Sequence, residues 1–478
     1  MLRLSLAVLA VTGAAAAFFS VWHSQERVNT AAGPPGEFEV SFTPGSRDSS
    51  GRFMGGTEMR ILAAHAGRLY AGNGYWQDKP GPEGPQGAEI LVLDRPHGQW
   101  RVDHAFEEQM PNGRPRNLAV AVLGEFTFAT DGTGEHLAAP VSMLVAATWD
   151  LTGEARVFTR DDATGAWAAA TFVHERWNQS DHHLPQVRSV GAHRDRVTGV
   201  DYVFAGQDPR GVFRGAYDPT VPGRIRWSEA PELDISTISV EAFPGLEGRL
   251  RISSFAECDG RLYAAVGQQI YERIDGAEPH WRLIYSNPRP GRSETGLRGL
   301  SAVPDPAAGG QALIAAVEGS EARIVRVDPH DGSESTDLDL KDFLGKAWGM
   351  GVGYAIGAYN DMAIVRDPQG RNVLLLGIEA FIPPMSPIAA GHSVVSVGYG
   401  RLESGAWYLV RQPTGHYDLR RIPDRPVQPM VATRSILASP FPRDGDALYF
   451  AGYDANKAPA HNAAWIVRST IAAAIGGS

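Results

Sequence analysis

The hydrophobic positions of this chain change spacing every few residues and never settle into a long helical stripe. The segment from Leu250 to Tyr285 shows the pattern most clearly. Short runs at Arg251-Ile252-Ser253-Ser254-Phe255, Arg261 to Val266, Gln269 to Ile274 and Trp281 to Tyr285 are separated by Cys258-Asp259-Gly260, by Gly267 and by Asp275-Gly276. Runs of this length, bounded by Gly and Asp and rich in β-branched and aromatic residues, predict four strands joined by tight turns. The same succession returns along the chain. First strands are expected at Met59-Arg60-Ile61-Leu62, Arg116-Asn117-Leu118, Val187-Arg188-Ser189-Val190, Leu297-Arg298-Gly299-Leu300, Met362-Ala363-Ile364-Val365 and Thr433-Arg434-Ser435-Ile436. Second strands follow at Arg68 to Ala71, Met143 to Thr148, Tyr202 to Ala205, Ala312 to Val317, Val373 to Ile378 and Ala447 to Ala451, and Trp100, Trp167 and Trp227 mark outer strands.

A repeated four-stranded unit cannot bury its own apolar face and must stack on its neighbours. A solenoid would also repeat, but four short strands per unit fit the blades of a toroid better. The chain therefore resembles the general β-propeller superfamily, and the fold expected is all-β, a seven-bladed β-propeller. The sixth unit is the least regular, so six or eight blades are the competing counts. The likeness is to the architecture alone. The Gly-His and Trp-Asp pairing of WD40 repeats, the Gly-Gly signature of kelch blades and the Asp boxes of sialidases are absent, and Arg421-Ile422-Pro423 lies too late in the chain to stand for the Arg-Ile-Pro motif of the last. The seventh unit lacks an outer strand, because the chain ends in small residues from Ala472 to Ser478. Glu37 to Phe42 alternates polar and apolar, as a half-buried strand does. This N-terminal strand is expected to complete the seventh blade and close the ring, which removes exposed edges.

Arg3 precedes an apolar run from Leu4 to Trp22. A basic start followed by such a run describes a secretory signal, or an N-terminal membrane anchor if it is not cleaved. The expected division is residues 1–28 as signal peptide or anchor, 29–35 as linker, 36–470 as a single propeller domain and 471–478 as a C-terminal tail. The protein is expected to be exported, periplasmic or extracellular, and to meet a membrane only through the first segment. The composition of the 478-residue chain is that of an ordinary globular protein, with 54 Gly and 33 Pro suited to many turns. A net charge of −10 argues against nucleic acid as a partner. The one cysteine, Cys258, allows no internal disulfide. A monomer is expected.

Three features could carry chemistry. An arginine stands near the start of the first strand in six of the seven units: Arg60, Arg116, Arg188, Arg251, Arg298 and Arg434. At equivalent positions they would ring the channel mouth, where forked guanidiniums suit carboxylate, sulfate or phosphate. Acids near the second-strand ends, Asp150, Asp208, Glu318, Glu379 and Asp454, could instead neutralise them. Second, His182, His183 and His461 lie in connections on the same face and are candidates for proton transfer, with Asn73, Tyr75 and Trp76 expected near His461. His65 and His193, in turns on the opposite face, are read as solvated. Third, long loops at 76–87, 346–360 and 380–391 carry aromatics among glycines, and Trp76 and Asp454 join the arginines as ligand-binding candidates. No metal site and no cofactor are identified.

Walker A, Gly-x-Gly-x-x-Gly, Gly-x-Ser-x-Gly, His-Glu-x-x-His and calcium-loop patterns are missing, which argues against nucleotide enzymes and common hydrolases. The function expected is binding of a ligand or partner, a small anionic or carbohydrate ligand among them, at the loop-rich channel face. The alternatives are a lyase or hydrolase acting on an anionic carbohydrate, and a metal-dependent lactonase or oxygenase.

Overall fold

Tight turns cut the chain into successive antiparallel meanders. The computed structural model describes residues 37–75, 83–174, 186–238, 250–289, 296–305, 309–349, 351–359, 362–381, 405–423, 432–453 and 462–476. The first meander comprises Glu58–His65, Arg68–Gly74, Glu89–Leu93 and Arg101–Ala105, and the second Asn117–Thr130, His136–Asp150, Ala155–Arg160 and Trp167–Val173. The third runs through Gln186–Arg194, Asp201–Asp208, Gly211–Tyr217 and Ile225–Trp227, and the fourth through Ile252–Cys258, Arg261–Val266, Gln269–Ile274 and His280–Ser286. The fifth has Leu297–Asp305, Gly310–Val317, Arg323–Val327 and Glu334–Asp339. The last inner strand, Ala432–Ala438, is followed by Ala447–Tyr453 and Ala464–Thr470, and Glu39–Phe42 pairs antiparallel with Ala464–Thr470. Four-stranded meanders stacked face on face in this way form an all-β architecture of the β-propeller type.

The sixth meander departs from the sequence reading. Its inner position is shared by two segments, Tyr354–Gly357 and Ala363–Arg366, which pair with opposite ends of Asn372–Phe381. Gly405–Arg411 and Tyr417–Pro423 complete it. The preceding connection, expected as a loop, begins with helix Leu340–Trp348. Asp339 caps it by accepting from the Asp342 N–H, Gly349 ends it at φ 64°, and Leu340, Leu344 and Trp348 bury one face. Likewise the expected tail contains helix Ile471–Ile475, docked through a hydrogen bond from the Tyr408 hydroxyl to the Ala474 carbonyl.

The apolar core lies between neighbouring meanders. Tyr70 and Ile90 of the first pack with Val120 and Leu144 of the second, and Phe204 of the third packs with Ile252 and Leu262 of the fourth. Leu62, Leu69 and Leu91 of the first also pack with Tyr449 and Ile466 from the C-terminal end of the chain. There the Leu62 N–H donates to Ser435 Oγ at 3.1 Å. Cys258 is buried in such a cluster, and burial pushes its thiol up to about 12.

Ionic groups tie some of the same junctions. His65, the last residue of its strand, is buried. Its Nδ1 lies 2.6 Å from Glu125 Oε2 and its Nε2 2.9 Å from Asp162 Oδ2, both in the second meander. Arg160 Nη1 donates to Asp162 at 2.8 Å and its Nε to Asp103 at 3.0 Å, and Trp167 Nε1 donates to Asp103 at 2.9 Å. The third and fourth meanders repeat this group by group. His193 meets Glu257 at 2.6 Å and Asp275 at 3.0 Å. Arg273 reaches Asp275 at 2.6 Å, Asp195 at 2.9 Å and Glu232 at 2.7 Å, and Trp281 Nε1 donates to Glu232 at 3.1 Å. Between the fifth and sixth, Arg411 and the Tyr417 hydroxyl both donate to Asp337, at 2.7 and 2.6 Å, with no histidine in the set. His65 and His193 are therefore not solvated: the next meander covers the turn in which each sits.

Arg273 is fully buried among three carboxylates. Removing it strands buried negative charge, so Arg273→Met should lower the free energy of unfolding by about 3–5 kcal/mol in denaturant titrations. Arg52→Met, at an exposed pair with Glu107, should change it by less than about 1 kcal/mol. Equal effects of the two substitutions would show that the junction network contributes nothing special.

Candidate functional site

The inner strands carry a shared irregularity. In four of them the pairing register slips by one residue, and the skipped residue is an arginine: Arg60 between Met59 and Ile61, Arg188 between Val187 and Ser189, Arg298 between Leu297 and Gly299, and Arg434 between Thr433 and Ser435. A bulge frees a residue from the ladder and re-aims its side chain. The fourth meander has the same slip at Ser253, so Arg251 stands two residues ahead of it. In the second meander the slip falls after Asn117, leaving Arg116 outside the strand. The expected ring of six equivalent arginines thus becomes four at one backbone position, with two offset.

Five of the six converge. Glu58, fully buried, accepts from Arg60 Nη1 at 3.1 Å and from Arg434 Nη1 at 2.8 Å. The Tyr359 ring lies 4.4 Å from the Arg434 guanidinium carbon and 5.1 Å from that of Arg298, contacts that favour the cation. Arg298 Nε is 3.4 Å from Glu318 Oε2, and the Tyr354 hydroxyl donates to the same carboxylate. Arg188 pairs with Asp208. Burial pulls Arg188 well below the usual arginine value, and the neighbouring Arg251, Arg298 and Arg60 add to this. Burial likewise brings Arg60 down to about 10, against the pull of Glu58, with Arg434 and Arg298 pushing the same way. Asp208 is raised by burial in spite of Arg188 and Arg251. The Nε atoms of Arg60 and Arg434 are buried without a hydrogen-bond partner among the described residues.

Arg116 is not part of this cluster. It donates to Asp150 at 2.9 Å and to Glu154 at 2.5 Å, in a group that also holds Arg156 and Glu108. Its offset from the strand start turns it to those acids, so it is an ion-pair residue and no ligand candidate. Of the acids expected to compete for the arginines, Asp150, Asp208 and Glu318 do so. Glu379 accepts from the Tyr453 hydroxyl at 2.5 Å, and Tyr453 and Tyr359 hydroxyls are 3.1 Å apart. Trp76, Asp454, His182, His183 and His461 lie outside the described residues. No cluster of His, Cys, Asp and Glu able to hold a metal occurs among the described residues.

Between the inner strands lies a cavity of about 220 Å³. Arg60, Arg188, Arg434 and Tyr359 line it, together with apolar side chains that include Ile61 and Phe255.

A further titratable group escaped sequence reasoning. Glu89 is buried at the start of its strand, where it accepts from Asn73 Nδ2 at 2.8 Å and from the Tyr75 hydroxyl at 3.4 Å. Burial pushes it up to about 7. It borders a second cavity of about 320 Å³, with Arg52, Gln86 and Glu107 on the walls. A carboxyl near neutrality can both give and take a proton. The one sequence signal was an acid inside the apolar run Ala88-Glu89-Ile90-Leu91. Asn73 also donates to the Gly55 carbonyl at 3.0 Å, and Asn462 packs over Gly55.

No protein-family model matches the chain, and no curated protein matches it. Solved structures resemble it at low identity. The Dos1 propeller aligns at 10% identity with a TM-score of 0.45, over 87% of this chain and 93% of its own. A Trypanosoma rangeli sialidase in complex with 2,3-difluorosialic acid aligns at 10% identity and TM-score 0.40, over 93% of this chain, which spans 60% of the sialidase. The Penicillium chrysogenum α-L-arabinanase complexed with arabinobiose aligns at 10% and 0.39, over 91% and 98%.

Glu89 has a measurable consequence. Its value is raised from 4.5 in the unfolded chain to about 7 in the fold. The stability that its neutral form contributes is complete below pH 4.5 and is lost as pH rises through 7. The melting temperature of Glu89→Gln, relative to the parent, should therefore rise between pH 5 and pH 8. A difference that is constant over that range would mean that the carboxyl titrates normally.

Proposed function

We propose that this chain is an exported, monomeric, seven-bladed β-propeller, closed by Glu39–Phe42, which binds a small anionic ligand at its channel mouth through Arg60, Arg188, Arg298 and Arg434, with Arg251 beside them. Support for the blade count and closure comes from the pairing of Glu39–Phe42 with the last long strand and from the apolar cluster that joins the first meander to the C-terminal end. Support for export is the Arg3 start and the apolar run that follows it.

The observation that carries the binding reading is the imbalance of charge. Among the described residues Arg60, Arg188, Arg298 and Arg434 meet three directly paired carboxylates, Glu58, Asp208 and Glu318, and Glu58 is shared by Arg60 and Arg434. Cations held together out of water repel one another, and an incoming anion relieves that repulsion. A planar oxyanion would also accept from Nε groups that lack partners. A second reading, a lyase or hydrolase for an anionic carbohydrate, is favoured by Tyr453, whose hydroxyl donates to Glu379 beside Arg434. A phenol between a carboxylate and a cation is placed to move a proton.

Acetate, sulfate and glucuronate, titrated at low ionic strength with calorimetric and thermal-shift readout, test the binding reading. At least one should bind saturably and raise the melting temperature. Arg434→Gln should weaken that binding at least tenfold, while Arg226→Gln, at an exposed pair with Asp218, should leave it unchanged. Absence of saturable binding, or full binding by Arg434→Gln, would overturn the proposal.

A further inference from the structure

The channel cavity has two chemistries, and their arrangement narrows the ligand. Its cationic part is Arg60, Arg188 and Arg434 with the Tyr359 ring. The remaining wall is apolar: Ile61 from the first inner strand, Phe126 from the second, Val190 from the third and Phe255 from the fourth. These four are only half-buried, although they sit on the innermost strands. They present apolar surface to the cavity, which is costly unless something apolar covers it.

The hydroxyls on the same wall are already engaged. Ser189 Oγ donates to the Ile252 carbonyl at 2.6 Å, Ser253 Oγ donates to the Leu297 carbonyl, and Ser435 Oγ accepts from the Leu62 N–H at 3.1 Å. Ser254 Oγ accepts from the Leu300 N–H at 3.3 Å. Each serine holds its inner strand to the next. A polyhydroxylated ligand entering here would leave several hydroxyls without partners, at a cost for each. An apolar body would meet Ile61, Phe126, Val190 and Phe255 at no such cost.

We infer that the channel takes an amphiphilic carboxylate: the carboxylate is held by Arg60 and Arg434 with Arg188 beside them, and a short apolar body points along the channel against Phe126 and Phe255. This rests on the channel-mouth reading above and names its ligand class. The volume, about 220 Å³, admits a short aliphatic or single-ring acid and little more. Glu58 keeps its place beneath the pair, so the ligand completes the coordination of Arg60 and Arg434 and does not replace it.

Calorimetry on the full chain at fixed ionic strength, with acetate, hexanoate, phenylacetate and glucuronate as probes, tests this. Hexanoate and phenylacetate should bind at least tenfold more tightly than acetate and than glucuronate. Phe255→Ser should remove that gain and leave acetate binding as it was. Val190→Ser, on the neighbouring inner strand, gives an independent check if Phe255→Ser does not fold. Arg434→Gln should weaken all binders. Glucuronate binding as tightly as hexanoate, or acetate matching hexanoate, overturns the inference while the channel-mouth reading stands. An apolar gain that persists in both wall variants overturns it as well. Failure of every probe to bind overturns both.

Discussion

Charge taken out of water has to be answered by charge or by hydrogen bonds, and in this protein the answer comes from the neighbouring meander. A single four-stranded sheet has two faces and cannot cover either. Apolar residues of adjacent sheets therefore interdigitate, as Phe204 does with Ile252 and Leu262. Polar groups at the same junctions follow the same rule. His65 of the first meander is answered by Glu125 and Asp162 of the second, and His193 of the third by Glu257 and Asp275 of the fourth. A doubly acceptor-bound imidazole, an arginine held by acids from both sides and a tryptophan N–H closing the set recur in the same order at the two junctions. Such a network is stable only when complete, so it specifies which sheet lies beside which as well as holding them together.

The arginine cluster between the inner strands is where this rule is relaxed. Four of the arginines in it, Arg60, Arg188, Arg298 and Arg434, come from bulged positions, which release their side chains from the sheet and its pairing partners. Tyr359 offers Arg298 and Arg434 a ring face beside their carboxylates, and Glu58 serves two guanidiniums at once. Arg116, displaced from the bulge, shows the contrast: it is surrounded by Asp150, Glu154 and Glu108, whereas Arg60 and Arg434 share the one carboxylate of Glu58 among the described residues. Under the proposed binding function, this arrangement inside a rigid frame would hold the site ready for its ligand. The inner-strand serines have the opposite role. Their hydroxyls bond the neighbouring inner strands, and Ile61, Phe126, Val190 and Phe255 line the same cavity.

Glu89 belongs to a different part of the same economy. Its partners, Asn73 and Tyr75, donate hydrogen bonds but bring no positive charge, so burial prevails and the carboxyl titrates near neutrality. Asp195, which meets Arg273 and several backbone N–H groups, is also penalised by burial, yet it is held far below the ordinary carboxylate range. The two acids differ in environment and not in kind.

Much of the fold was legible from local patterns. Strand runs, Gly and Asp turns and the alternating Glu37 to Phe42 segment depend on residues close in sequence, and the strands lie where those patterns put them in most of the meanders. The arginine at the start of the inner strand was equally visible. What local pattern could not supply was the one-residue slip that puts Arg60, Arg188, Arg298 and Arg434 at one position and leaves Arg116 and Arg251 elsewhere, because a bulge depends on pairing with the adjacent strand. Nor could it show that His65 and His193 are covered, since the groups that cover them lie 60 to 97 residues away in sequence. Glu89 looked like an acid in a strand, and its character depends on Asn73 and on exclusion of water. The sequence by itself determined the strands and turns, through periodicity and backbone preference. Tertiary structure decided which charges converge and which are paired, because electrostatics and burial act through space between sheets, across pairings that no local sequence pattern records.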